Sequence, residues 1–244
     1  MPLEYQPCGD CAVRVVLGAD AAPATLRRVR AFCHVLAEAG LDGVSEWVPG
    51  YATVTVFYRP ERVRYAAVCA RLRAAAARAA KSVLPSPSLL SLPVCYGGTF
   101  GPDLGFVAEH AKLAPGDVTA RHAARIYLVH FIGFTPGFPY LSGLDPQLAT
   151  PRLERPRISV PAGSVGIAGA QTGVYPQETP GGWRIIGRTP VKLFEARRVP
   201  PVPVGPGDTL RFRPVDEAEF RRLDAQVAAG AYKLELALHG GADG

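Results

Sequence analysis

The stretch from Gly133 to Gly187 constrains the fold more than any other part of the chain. It contains ten glycines and eight prolines, and the segments between them are short and rich in β-branched and aromatic residues. Examples are RISV, SVGIAG and WRIIG, with VKLF and TLRFR further on. Proline removes a backbone donor and glycine loosens the chain, so neither a long helix nor a long strand can continue through this region. We expect many short strands, arranged as an all-β barrel or sandwich.

The first part of the chain has a different pattern. AVRVVL, VSEWV and ATVTVFY are predicted strands, because they are rich in β-branched residues and bounded by turn residues. Two helices are predicted, one ending at Gly40 and one over residues 61–82, because apolar residues recur there every three or four positions. The order β-α-β-β-α, with a further strand near 89–95, predicts a ferredoxin-like α+β domain.

A proline- and serine-rich segment marks the domain boundary. SVLPSPSLLSLP, at residues 82–93, contains three prolines and four serines, which is typical of a linker. We therefore expect an α+β domain at 1–85 and a β-barrel domain at 86–244. In the second domain we expect two short helices, at 103–113 and after Pro115, followed by the strand IYLVHFI. A helix in DEAEFRRLDAQV and a strand in YKLELAL are predicted near the end.

Charge and hydropathy narrow the possible partners. The formal net charge is +6, and arginine contributes most of it, since only four lysines are present. The basic residues are spread along the chain without a run of five or six, so we expect no nucleic-acid partner. No segment resembles a signal peptide, and none reaches the ~18 apolar residues of a membrane span. We expect a cytoplasmic protein that does not engage membranes.

The cysteines give a weak signal. Five are present, and Cys8 and Cys11 form a lone C-x-x-C, a spacing that is found in redox-active pairs and as half of some zinc sites. A complete zinc site needs about four ligands, and no second pair of cysteines or histidines follows. We expect reduced cysteines and no metal site.

Polar residues within the glycine-rich region are the candidates for ligand binding. The P-loop, the dinucleotide fingerprint, H-E-x-x-H and G-x-S-x-G are all missing from the sequence. Guanidinium groups pair with carboxylate or phosphate, and a glutamine side chain can both donate to and accept from an amide. The candidates are Arg152, Arg157, Gln171, Glu178 and Arg188. They suit an amide-bearing organic acid at the mouth of a barrel, although arginines in such loops can also simply tie turns together.

His122 and the segment GFTPGFPYLSGLD complete the predicted site. His122 lies at a predicted helix end, where it either caps the helix or transfers protons, since an unperturbed histidine titrates near neutrality. The segment at 133–145 combines a turn with apolar side chains. We expect it to return Phe138 and Tyr140 to the barrel as one wall of the pocket, facing PRLERPR at 151–157.

Several strings of the sequence resemble one family. LPVCYGG, FGPDL, GFTPGFPYLSGLD, LATPRLERPR, the segment from Val160 to Phe194, and PGDTLRF are similar to segments of the family of 5-oxoprolinase B subunits. This family is also called the allophanate hydrolase subunit 1 or KipI family. The resemblance covers essentially the full chain. It implies a ferredoxin-like N-terminal domain and a cyclophilin-like β-barrel C-terminal domain.

The resemblance also implies an activity and partners. Together with the 5-oxoprolinase C subunit, which is also a cyclophilin-like barrel, and with the A subunit, such a chain cleaves 5-oxo-L-proline to L-glutamate at the expense of ATP. We expect this chain to be inactive without its partners. We also expect ATP, with Mg, to bind in the complex rather than to this chain alone. The alternatives are a KipI-like inhibitor of a sensor histidine kinase, a component of an allophanate or urea amide hydrolase, and a small-acid binding module without catalysis.

The family motifs cover the candidate residues. Phe138 and Tyr140 match its G-F-P-Y-L element, Arg152 and Arg157 its P-R-L-x-x-P-R element, and His122, Gln171, Glu178, Trp183 and Arg188 other motif positions. We expect the two arginines of PRLERPR to hold a carboxylate or phosphate and Gln171 to hold the amide edge. His122 or Glu178 is expected to transfer a proton. An enzyme subunit is favoured over a steric inhibitor, which would have no use for buried arginines.

Overall fold

The chain forms two compact units in a computed structural model that describes residues 3–238. The units are Met1–Pro85 and Ser86–Gly244, and each has its own hydrophobic core. Within the described residues, no helix has the length and apolar character needed to cross a membrane.

The first unit is an antiparallel sheet with two helices. Its elements are β1 (Glu4–Cys8), β2 (Ala12–Val16), α1 (Pro23–Ala39), β3 (Val44–Pro49), β4 (Thr53–Tyr58) and α2 (Tyr65–Ala79). The strand order is β1-β2-β4-β3, and β2, α1, β3, β4 and α2 follow the predicted order. The prediction for the remaining strand is wrong. The edge strand beside β2 is β1, with Cys8 opposite Ala12, and the segment near 89–95 belongs to the second unit.

The core of the first unit follows from the two side-chain periods. Val54 and Val56 alternate with less buried residues along β4 and are fully buried. Phe32 on α1 and Leu72 on α2 are also fully buried and belong to the same cluster. Because side chains alternate along each strand, the sheet has one apolar face. Each amphipathic helix packs one apolar stripe against that face.

The second unit contains most of the strands. Its elements are β5 (Ser88–Tyr96), α3 (Leu104–Ala111), α4 (Pro115–Ala123), β6 (Ile126–Ile132), β7 (Pro139–Ser142), a 3₁₀ turn (Pro146–Leu148), β8 (Arg157–Val160), β9 (Ser164–Ala168), β10 (Gln171–Val174), β11 (Thr179–Gly181), β12 (Arg184–Arg188), β13 (Thr209–Val215), α5 (Glu217–Ala228) and β14 (Glu235–Leu238). β8 and β11 pair with each other as a separate two-stranded sheet.

Seven strands close into a barrel rather than a sandwich. Their order is β12-β9-β10-β7-β6-β13-β5, and β12 also pairs with β5, which closes the ring. The closing contact places Gly187 opposite Tyr96 and Arg188 opposite Cys95. A methyl group at position 187 would lie 2.7 Å from Cγ1 of Val94, so the two strands can approach this closely only with glycine there.

Other features of this unit depart from the regular barrel. β14 pairs with the first half of β5, outside the ring of seven strands. The prediction of a strand at VKLF is wrong, since residues 191–194 form none. The backbone N–H of Val191 instead donates to the Thr189 hydroxyl, 3.2 Å away, which turns the chain after β12. The interior is filled by apolar side chains that include Leu90, Leu92, Tyr127, Ile167, Ile186 and Phe212.

Candidate functional site

A pocket lined by aromatic rings lies beside the turn that precedes β7. Its volume is about 250 Å³. We call it the aromatic pocket, and its lining consists of Phe134, Phe138, Tyr140, Arg152, Pro156, Tyr175, Pro180, Gly181, Gly182 and Trp183. These residues come from β7, β11 and the connecting segments around them. The predicted wall and the first arginine of PRLERPR thus meet in one cavity.

The turn between β6 and β7 positions the base of this pocket. The backbone N–H of Phe138 donates to the Thr135 carbonyl, and the N–H of Gly133 donates to the Phe138 carbonyl, each over 3.1 Å. Phe134 adopts a φ of 65°, a left-handed conformation that residues other than glycine rarely adopt. The tight turn therefore directs Phe138 inward, where it is 1% exposed, and leaves Phe134 61% exposed at the rim.

Phe138 is the centre of the aromatic cluster. Its ring lies 5.3 Å from both Tyr175 and Trp183, edge-to-face in each case, and 5.1 Å from Tyr140. Such contacts fix ring orientations, because the positive edge of one ring meets the negative face of another. The pocket wall is consequently a rigid, apolar surface suited to a flat ligand.

Arg152 supplies the positive charge of the pocket. Its guanidinium carbon lies 5.8 Å from the centre of the Trp183 ring, and no carboxylate of the described residues forms an ion pair with it. A guanidinium held over an aromatic face keeps its fork of donors available to a carboxylate. One cation over an apolar surface can hold a small organic acid by its carboxylate while the rings contact the rest of the molecule.

Arg157 has a different environment. Its Nη2 donates to Oδ1 of Asp103 over 2.8 Å, and its Nη1 lies 3.4 Å from the Trp183 carbonyl. Asp103 is buried, and its other oxygen accepts the backbone N–H of Ile185 at 2.6 Å. This guanidinium is therefore compensated by a protein carboxylate, which argues against the expected role in holding a ligand.

His122 lies inside the second unit. It is fully buried on α4, and its ring stacks on Phe212 with 4.6 Å between ring centres. The Thr172 hydroxyl donates to the Gly166 carbonyl, so it must accept from Nε2 of His122, 2.9 Å away. Nδ1 then accepts from the Tyr96 hydroxyl at 2.8 Å.

Both ring nitrogens of His122 are thus occupied, and burial lowers the pKa of its imidazole to about 3. A neutral, enclosed imidazole cannot exchange protons with a ligand in the aromatic pocket. This geometry argues against the proton-transfer role that the sequence suggested, and it assigns His122 to the packing of α4 against the barrel.

The other predicted residues are dispersed. Glu178 is exposed before β11, and its carboxylate accepts from the Ser159 hydroxyl over 2.7 Å. Gln171 begins β10 opposite Ala168 and is partly buried. Arg188 ends β12 and lines another cavity. Of the predicted set, the aromatic pocket brings together Phe138, Tyr140 and Arg152.

Sequence analysis missed three contributors to this region. Tyr175 and Phe134 line the pocket, and Asp103 compensates Arg157. The two aromatic residues lie in glycine- and proline-rich segments. An apolar side chain in such a segment, without periodic apolar neighbours, indicates a residue that lines a pocket rather than a helix or strand face. Asp103 carries no such signal, because its partner is distant in sequence. The described residues contain no group of three or more His, Cys, Asp or Glu side chains able to hold a metal ion.

The sequence and the fold have counterparts in known proteins. A family model described as carboxyltransferase domain, subdomain C and D, matches residues 3–204 and defines the class of protein. The urea carboxylase of Kluyveromyces lactis shares the fold, with a TM-score of 0.78 over 96% of this chain and 24% of that chain, at 19% identity.

Two curated relatives are more similar in sequence. The 5-oxoprolinase B subunit of Bacillus subtilis is 37% identical over 90% of this chain and 97% of the relative. The protein of the same name from Escherichia coli O157:H7 is 42% identical over 86% of this chain and 94% of the relative. The chain belongs to the family of 5-oxoprolinase B subunits.

Proposed function

We propose that this chain is the B subunit of a 5-oxoprolinase, which cleaves the lactam of 5-oxo-L-proline to L-glutamate with hydrolysis of ATP. The similarity to two curated B subunits over nearly the whole of both chains carries this proposal. The chain acts with the A and C subunits in a cytoplasmic complex and is inactive without them. The N-terminal unit is classed as a variant ferredoxin-like domain, whose edge strand comes from its own N-terminus, and the barrel as cyclophilin-like.

The aromatic pocket suits this substrate. 5-Oxoproline is a small five-membered ring that carries one carboxylate and one amide. Arg152 pairs with the carboxylate, and the rings of Phe138 and Trp183 contact the lactam ring. Tyr140 forms the side wall. The apolar lining lowers the local dielectric, which strengthens the ion pair once the ligand displaces water.

Proton transfer is assigned to Glu178. It lies two positions before Pro180, which lines the pocket, and its carboxylate is held by the Ser159 hydroxyl. An exposed carboxylate on such a loop is able to act as a general base when substrate closes the site. Arg157, Gln171 and Arg188 are left out of the substrate contacts in this proposal.

ATP and Mg are placed in the complex rather than on this chain. Among the described residues, no group of three or more His, Cys, Asp or Glu side chains is able to hold a metal ion. The role of this chain is to bind and orient the cyclic amide and to exclude water around its carboxylate.

The test is reconstitution. The chain is co-produced with candidate A and C subunits, and ATP hydrolysis and glutamate formation are measured with and without 5-oxo-L-proline. Allophanate is assayed in parallel, because the fold is shared with a urea carboxylase. We expect 5-oxoproline-dependent ATP hydrolysis from the full complex and none from the chain alone. Absence of that activity from an assembled complex would reject the proposal. Activity on allophanate and not on 5-oxo-L-proline would identify allophanate as the substrate instead.

A further inference from the structure

A second cavity lies where the segment after β12 meets α5. Its volume is about 360 Å³, and we call it the charged cavity. Its lining includes three charged residues and one aromatic residue, namely Arg188, Lys192, Asp224 and Phe220. It shares no lining residue with the aromatic pocket. Nothing in the proposed role of the aromatic pocket uses these charges.

Arg188 is held in the charged cavity by packing rather than by a carboxylate. Its guanidinium carbon lies 5.2 Å from the centre of the Phe100 ring, and Phe100 in turn packs against Phe220 at 4.6 Å. Its Nε is buried and has no hydrogen-bond partner among the described residues. Arg157 is compensated by Asp103, whereas no ion pair compensates Arg188 in the described chain. A positioned, uncompensated guanidinium suits an incoming carboxylate.

The remaining charges define which anion fits. Lys192 is an exposed second cation, and Asp224 on α5 adds a carboxylate to the lining. Within residues 3–238, Asp224 forms no ion pair with either cation. A plain oxyanion would be attracted by Arg188 and Lys192 but repelled by Asp224. A ligand with two carboxylates and one ammonium group matches all three charges.

We propose that the charged cavity binds an acidic α-amino acid. Its two carboxylates pair with Arg188 and Lys192, and its ammonium group pairs with Asp224. 5-Oxoproline fits poorly, because its nitrogen is a neutral amide and it has one carboxylate. The proposed reaction releases an acidic amino acid, so the cavity is a product site. That last step rests on the proposed function, whereas amino-acid binding itself does not.

The experiment is calorimetric titration of the full chain with L-glutamate, glutarate and 5-oxo-L-proline. Glutarate has both carboxylates and lacks the ammonium group, so it isolates the contribution of Asp224. In an Arg152→Ala chain, whose aromatic pocket lacks its cation, we expect L-glutamate to bind at least about tenfold more tightly than 5-oxo-L-proline at pH 7. Asp224→Asn should weaken L-glutamate by about fivefold or more and leave glutarate unchanged or tighter. Arg188→Gln should weaken both ligands by about tenfold.

Glu109→Gln is the control, because Glu109 is an exposed acidic residue of α3 that does not line the cavity. The control variant should bind L-glutamate with the same affinity as the wild-type chain. If Arg188→Gln lowers the thermal midpoint, Lys192→Gln replaces it, since Lys192 is exposed, and both ligands should again weaken.

Two results would overturn the proposal. One is an L-glutamate Kd above about 10 mM, and the other is an affinity that neither Asp224→Asn nor the cation variants change. Reconstituted activity is measured separately. Glutamate binding without 5-oxoproline-dependent ATP hydrolysis would reject the proposed function alone, and the reverse outcome would reject the amino-acid site alone.

Discussion

Arg157 and Asp103 form an ion pair over 2.8 Å, although 54 positions separate them in the chain. Asp103 directly precedes α3, and its second oxygen accepts the N–H of Ile185 on β12. The pair therefore joins the start of a helix to a barrel strand and to the first residue of β8. One motif arginine thus has a carboxylate partner within the protein itself.

Replacing this arginine should reduce stability. We expect Arg157→Gln to lower the free energy of unfolding by about 1–3 kcal/mol, because it leaves the buried Asp103 carboxylate without its partner. Arg155→Gln, at an exposed arginine two positions before β8, should change this free energy by less than about 0.5 kcal/mol. Urea denaturation measures both. An Arg157→Gln protein of unchanged stability with a raised KM in the complex would restore the ligand-binding role.

Replacing Arg152 should impair substrate binding and leave stability nearly unchanged, in contrast to replacing Arg157. Arg152→Ala removes the cation of the aromatic pocket, so we expect the KM of the reconstituted complex for 5-oxo-L-proline to rise about tenfold or more. Stability should change by less than about 0.5 kcal/mol, since the side chain is exposed. Arg155→Ala is the control and should leave KM unchanged. Equal effects from both variants would show that net charge, rather than position, matters.

Two adjacent glycines give a test of the pocket shape. An added Cβ at Gly181 would lie 2.4 Å from the Tyr175 hydroxyl oxygen and 2.8 Å from its ring, whereas at Gly182 the nearest atom is 3.6 Å away. Gly181→Ala should displace Tyr175 and weaken substrate binding by about tenfold or more. Gly182→Ala should be tolerated. Both affinities are measured on the complex, and a tolerated Gly181→Ala would place the substrate elsewhere.

Burial of His122 makes stability depend on pH. It lowers the pKa of His122 from 6.5 to about 3. Below pH 6.5 the unfolded chain binds a proton on this side chain and the folded chain does not. The stability linked to His122 is therefore complete above pH 6.5 and falls as the pH drops toward 3, by at most about 1.4 kcal/mol per pH unit.

His122→Gln should remove this part of the pH dependence. The titratable groups that face the imidazole, Tyr96 and Tyr127, stay neutral in this range, because burial raises the pKa of each phenol. The variant should be less stable at pH 7 by about 2–4 kcal/mol, with a shallower loss between about pH 6.5 and 4.5. His110→Gln, at an exposed histidine, should keep the wild-type slope. Denaturation at several pH values measures how the free energy of unfolding depends on pH. If His122→Gln keeps the wild-type dependence, the buried imidazole is not its cause.

Local pattern predicted the elements that have strong periodicity. IYLVHFI and RISV are strands at the predicted positions, and the helix predicted to end at Gly40 ends at Ala39. β1 was missed because EYQPC alternates weakly and contains a proline, and only its pairing with β2 makes it a strand. VKLF has the composition of a strand, but the hydroxyl of Thr189 accepts the backbone N–H of Val191, the first residue of this segment. Composition alone does not encode such side-chain competition.

The part of the site whose residues lie close together in sequence was predictable, and the part that depends on distant partners was not. Phe138, Tyr140 and Arg152 lie close together in sequence and meet in one pocket. Arg157 and His122 have partners 54 and 50 positions away, namely Asp103 and Thr172. Whether a polar side chain is satisfied by the protein or left for a ligand depends on such distant pairs, which the residue's own neighbours in sequence do not reveal.

The origin of the first unit's edge strand affects the order in which a nascent chain can fold. Because β1 supplies that edge, every strand and helix of the sheet has been synthesised once Ala79 is added. The unit is able to fold at the ribosome before the strands that complete the barrel have been synthesised. The barrel has to wait, since β5 pairs in parallel with β13, whose Thr209 lies opposite Leu89. A ribosome paused shortly before β13 should therefore carry a folded N-terminal unit and an incomplete barrel.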